Sequence, residues 1–99
     1  LAPRIGQHFS EAGNGQKATE YLLKAGDSAR KLYAYQEAID AYEQALTFLR
    51  EQRDYSEAGR ILMQLGLLYL SIFDFDQSRL AYQEGFTLWQ RAIEAQSET

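Results

Sequence analysis

A set of residues recurs at an offset of forty in this 99-residue chain. Leu22 recurs as Leu62, Gly26 as Gly66, Tyr42 as Tyr82 and Tyr35 as Phe75. Ala38 becomes Ser78, Ala45 becomes Gly85, Leu32 becomes Ile72 and Leu46 becomes Phe86. Small residues thus fall where two antiparallel helices must approach closely, and large ones fall in the gaps beside them. A repeated helical hairpin cannot bury its apolar faces alone, so the pattern points to stacked hairpins, an α-solenoid. Composition agrees. Valine is absent, and Ala, Leu, Glu, Gln, Lys and Arg supply 55 of the 99 residues. Long unbranched side chains lose little rotamer freedom in a helix, whereas sheets favour branched ones. The expected fold is all-α.

Turn signals divide the chain into about five helices. The first is expected over residues 4–12, after Pro3, and is ended by Gly13-Asn14-Gly15. The second spans residues 16–33, with Ala18, Leu22, Ala25, Ala29 and Leu32 spaced by three and four. The third spans residues 35–51, with Ala38, Tyr42, Ala45, Leu46 and Leu49 on one stripe. Asp54 followed by Glu57, and Asp74 followed by Gln77, read as capping-box starts. They open a fourth helix running to residue 72 and a fifth running to residue 95, with a frayed end beyond. The organisation expected is one domain over 1–99: a leading helix and turn (1–15), a first hairpin (16–53) and a second hairpin (54–99). Leu1-Ala2-Pro3 lacks an initiator Met, which suggests a fragment of a longer protein.

In this register the chain resembles the tetratricopeptide repeat family. The first copy reads Leu22, Ala25-Gly26, Ala29, then Ala38, Tyr42, Ala45. The second reads Leu62, Leu65-Gly66, Tyr69, then Ser78, Tyr82, Gly85, and Tyr35 and Phe75 stand where the family usually has a turn Tyr. There are departures: Leu replaces the usual Trp, Ala29 replaces an aromatic, and Arg50 and Gln90 replace a closing Pro. The usual period is about 34 residues, so about six are added here, expected around residues 50–55. The resemblance implies a concave lining of Glu20, Leu23, Asp27, Arg30 and Lys31 in the first copy. In the second it implies Arg60, Met63, Leu67, Leu70 and Ser71. The family's carboxylate clamp is disfavoured, because Leu23, Asp27, Met63 and Leu67 occupy the positions of its Lys and Asn.

A narrower resemblance rests on Ile5-Gly6-Gln7-His8-Phe9, Glu11-Ala12-Gly13-Asn14 and Glu20-Tyr21-Leu22-Leu23-Lys24-Ala25-Gly26. These stretches are similar to the helical arrays of large bacterial signalling ATPases, of maltose-regulon-type transcription activators and of regulators with adenylate cyclase domains.

Signatures of chemistry are missing. His8 is the only histidine and there is no cysteine, so a metal site, a His-dependent triad, a thiol nucleophile and a disulfide framework lack their members. Gly13-Asn14-Gly15-Gln16-Lys17 lacks the order of a phosphate loop and follows no strand. Glu37, Asp40 and Glu43 read as a solvated helix face, and Asp74 and Asp76 lack the further oxygens a calcium site needs. No catalytic residue, metal or cofactor is expected.

The net charge of −4, with ten scattered basic residues, argues against direct nucleic-acid binding. The longest uncharged stretch, residues 61–73, is too short for the roughly 20 apolar residues of a membrane span. The function expected is therefore non-catalytic. It is a tetratricopeptide-like scaffold in a larger cytoplasmic bacterial regulatory or signalling protein, taking a protein or peptide such as an amphipathic helix. Self-association through the apolar lining is a further expectation. The alternative is an effector-sensing segment of a transcriptional regulator or signalling ATPase that binds a small ligand in the full array.

Overall fold

The computed structural model of the chain describes residues 15–97. Among them are four α-helices and no strand: α1 (Gly15–Lys31), α2 (Tyr35–Glu51), α3 (Tyr55–Ser71) and α4 (Phe75–Ser97). The helix expected over residues 4–12, Gly13-Asn14 and His8 lie outside the described residues. Gly15, expected in a turn, is instead the first residue of α1, and α4 runs two residues beyond the expected residue 95. Two compact units divide the chain, Leu1–Phe48 and Leu49–Thr99, so the last turn of α2 belongs with α3 and α4. Inside the second unit Arg50 forms an ion pair with Glu84, which joins that turn to α4. No helix among the described residues is long and apolar enough to cross a membrane.

The forty-residue period is two helices plus two short turns. The first three helices have 17 residues each, and every connection has three. The connection within residues 50–55 is no longer than the other two, so the extra residues expected there are not found in it. Each turn closes in the same way. Tyr33, Arg53 and Phe73 adopt φ of 61°, 56° and 65°. The amide of the next residue donates five positions back, Ala34 to Ala29, Asp54 to Leu49 and Asp74 to Tyr69, at 2.9–3.0 Å. The left-handed residue itself donates three back, to Arg30, Arg50 and Leu70. This is the Schellman closure, which satisfies the last carbonyls of a helix and usually takes Gly at the left-handed position. Here Tyr, Arg and Phe occupy it. On the far side Asp54 Oδ1 accepts from the Glu57 amide at 3.2 Å and Asp74 Oδ1 from the Gln77 amide at 3.3 Å. This is the Asp half of the expected capping box, while the Asp54 and Asp74 amides donate to the Leu49 and Tyr69 carbonyls instead.

A left-handed non-glycine residue costs about 1–2 kcal/mol. Exposed Arg53 has no ring to lose, so Arg53→Gly should remove that strain. Less the about 0.5–1 kcal/mol that Gly adds in unfolded-chain freedom, a net gain near 0.5–1 kcal/mol is expected. A higher urea midpoint with an unchanged slope checks it.

Packing inside each hairpin depends on rings set against glycines. A Cβ built on Gly26 would stand 2.5 Å from Tyr42 Cε1, and one on Gly66 would stand 2.7 Å from Tyr82 Cζ. One on Gly59 would stand 2.8 Å from Trp89 Nε1, whose N–H donates to the Ser56 carbonyl at 3.3 Å. Gly85 closes on Leu62 and on the Gly59 carbonyl. Along α3 the partners 59, 62 and 66 meet 89, 85 and 82 on α4, so the hairpin is antiparallel. Buried Ser78 donates its hydroxyl to the Gly66 carbonyl at 2.8 Å and ties the two helices near their turn.

The expected stripe of α2 is buried throughout: Ala38, Tyr42, Ala45, Leu46 and Leu49, joined by Ile39 and Ala41. On α3, Ile61, Leu62, Leu65 and Leu68 are buried. On α1, Ala18 and Leu22 are buried and Ala25 and Ala29 partly so. Leu32, expected on that stripe, is exposed because α1 ends one residue before it.

Gly→Ala normally favours a helix by about 1 kcal/mol. At these crossings the sign should reverse. Tyr42 is wholly buried and cannot swing aside, whereas Tyr82 is half-buried. Urea denaturation should therefore show Gly26→Ala less stable by about 1–3 kcal/mol, and Gly66→Ala less affected.

Candidate functional site

The residues expected to meet a partner lie on one face of α1 and one face of α3. On α1, Glu20 and Lys31 are exposed, and Leu23, Asp27 and Arg30 are half-buried. On α3, Arg60, Leu67, Leu70 and Ser71 are exposed and Met63 is half-buried. Arg60 forms an ion pair with Glu57, one turn earlier. Ser71 returns its hydroxyl to the Leu67 carbonyl at 2.9 Å, a bond within the helix. Met63 turns partly into the hairpin, with Cε 3.3 Å from the Cβ position of Gly85.

The two faces have diverged in chemistry. Asp27 and Arg30 are brought together by Tyr42, whose ring comes up from α2 against Gly26. The Tyr42 hydroxyl donates to Asp27 Oδ1 at 2.5 Å and accepts from Arg30 Nε at 3.3 Å. The carboxylate and guanidinium also face each other directly at 3.9 Å. This half-exposed ion pair contributes at most about 1 kcal/mol, but it orients both heads along the α1 face. In the second hairpin the register equivalents of Asp27 and Arg30 are Leu67 and Leu70, which are 52% and 45% exposed. That face offers apolar surface where the first offers a charged pair.

Tyr42 was legible as a core residue, from its stripe, but not as the link between Asp27 and Arg30. Residues 12 and 15 positions apart meet only once the turn and the crossing are in place. A buried tyrosine needs a partner for its hydroxyl, and Asp27 and Arg30 lie on the facing helix; that is the signal a sequence reading could have used. Among the described residues no group of three His, Cys, Asp or Glu side chains gathers as a metal would need, and no buried side-chain nitrogen or oxygen lacks a hydrogen-bond partner. Glu37, Asp40 and Glu43 are exposed on α2.

Burial, and then the hydrogen bond to Asp27, raise the Tyr42 phenol above its ordinary value of 10.0. The folded state holds the proton more tightly than the unfolded chain. The resulting stabilisation is complete below about pH 10 and is lost as pH rises through the raised folded value. Tyr42→Phe should remove about 1 kcal/mol near neutral pH, by deleting the hydroxyl bonds. It should also flatten the part of the alkaline decline that Tyr42 contributes, and urea midpoints between about pH 8 and 11 check both.

Comparison with family models, with curated proteins and with solved structures finds no match for the chain.

Proposed function

We propose that this chain is a non-catalytic, tetratricopeptide-like interaction module of a larger bacterial regulatory or signalling protein, acting in the cytoplasm. Its hairpins would stack as a short α-solenoid, and the faces of α1 and α3 would line its concave side. The observation that carries this reading is the exposure of Leu67 and Leu70 on α3, a helix whose Ile61, Leu62, Leu65 and Leu68 are buried. A helix buried on its other faces is held rigidly, so these two leucines are presented without an ordering cost at binding. Met63, Leu67 and Leu70, four and three residues apart, suit the apolar stripe of another amphipathic helix, although Met63 is half-buried. The repeat register, Gly26 against Tyr42 and Gly66 against Tyr82, supports the family likeness on which the solenoid reading rests.

The test uses an amphipathic helical peptide with leucines at i, i+3, i+4 and i+7, titrated into the chain by calorimetry. Binding is expected, with a loss of about tenfold or more in the Leu67→Lys, Leu70→Glu variant, since each tenfold step is 1.4 kcal/mol. An acidic peptide with a free C-terminal carboxylate should bind no better than its scrambled form, because Asp27 opposes it. If the helical peptide fails to bind, or binds the variant equally, the α3 face is not the docking surface.

A further inference from the structure

The outer face of α4 carries an apolar row separate from the α3 face. Tyr82, Phe86, Trp89 and Ile93 are spaced by four, three and four residues, which keeps them in line along the helix. The row is only partly used inside the hairpin. Tyr82 and Trp89 lean onto Gly66 and Gly59, while Phe86 and Ile93 stay 59% and 65% exposed. The same register positions on α2, Tyr42, Leu46 and Leu49, are buried.

We infer that a second copy of this chain covers the row, with the two α4 helices antiparallel. Three observations select that occupant. First, the spacing is a palindrome. A two-fold axis passing between Thr87 and Leu88 sets Phe86 of one copy against Trp89 of the other, and Tyr82 against Ile93. An isologous contact requires such a patch, in which residue i meets j and j meets i. Second, the border of the row is uncharged near that axis. Gln83 and Gln90 run alongside it, and in the antiparallel arrangement the Gln83 side chain of one copy faces Gln90 of the other. Their amides both donate and accept, so the pair is self-complementary. Third, the nearby charges are held elsewhere. Glu84 pairs with Arg50, Arg79 lies 3.6 Å from Asp76, and the Arg91 guanidinium sits 5.9 Å from the centre of the Tyr55 ring. Two copies can meet without bringing like charges together.

One helix face offers less than the roughly 800 Å² per partner of a standard interface, so the association is weak and reversible. Sedimentation equilibrium on the whole chain should show a concentration-dependent dimer, and Phe86→Glu should abolish it while leaving the helical circular dichroism unchanged. The chain has no cysteine, so introduced thiols report geometry without background. Under a mild oxidant an equimolar mixture of Gln83→Cys and Gln90→Cys chains should cross-link several times faster than either variant alone. A native chain that stays monomeric at millimolar concentration would overturn the proposal. So would a Phe86→Glu chain that still dimerises, or single variants that cross-link as fast as the mixture. Leu67→Lys, Leu70→Glu should leave the dimer intact; a dimer lost in that variant would move the contact to the α3 face and refute the α4 assignment.

Discussion

A tyrosine ring occupying the space of a missing Cβ is the contact on which each hairpin depends. Gly26 lets the Tyr42 ring approach α1 closely, and Gly66 does the same for Tyr82 against α3. Either glycine gives up about 1 kcal/mol of helix propensity, but a larger residue would push the helices apart and open the core around Leu22 or Leu62. Close approach then brings the rest within reach. Ser78 meets the Gly66 carbonyl, Trp89 meets the Ser56 carbonyl, and the Tyr42 hydroxyl meets Asp27 and Arg30.

Turns of three residues make that approach possible. Within a hairpin, helices joined so tightly run back antiparallel, and the turn has to satisfy the last carbonyls of the helix it ends. The structure does so identically at Tyr33, Arg53 and Phe73, although none is glycine. Two of the three are aromatic, about three-quarters exposed, and paired edge-on with the first residue of the next helix: Tyr33 with Tyr35 and Phe73 with Phe75, centroids 6.3 Å apart. An edge-on pair contributes about 0.5–1.5 kcal/mol, comparable to the left-handed strain, which explains how such residues persist there.

The two copies agree where a ring meets a glycine, Gly26 with Tyr42 and Gly66 with Tyr82, and differ elsewhere: buried Ile39 and Leu46 correspond to exposed Arg79 and Phe86. On the outer faces of α1 and α3, Asp27 and Arg30, which hold the Tyr42 hydroxyl, give way to Leu67 and Leu70.

The sequence by itself determined the all-helical character, the limits of α2, the caps at Asp54 and Asp74, and the buried stripe of α2. These follow from periodicity and from local hydrogen bonding, which neighbouring residues decide among themselves. Its register also placed Gly26 and Gly66 at crossings. Only the tertiary structure decided that the Tyr42 hydroxyl joins Asp27 to Arg30, and that Tyr82 and Trp89 turn inward while Phe86 and Ile93 on the same row do not. Periodicity says which residues share a face, but it carries no information on how two helices cross. The left-handed conformation of Tyr33 and Phe73 was hidden for a related reason: propensity assigns it to glycine, and it is the closure of two packed helices that forces it on an aromatic residue.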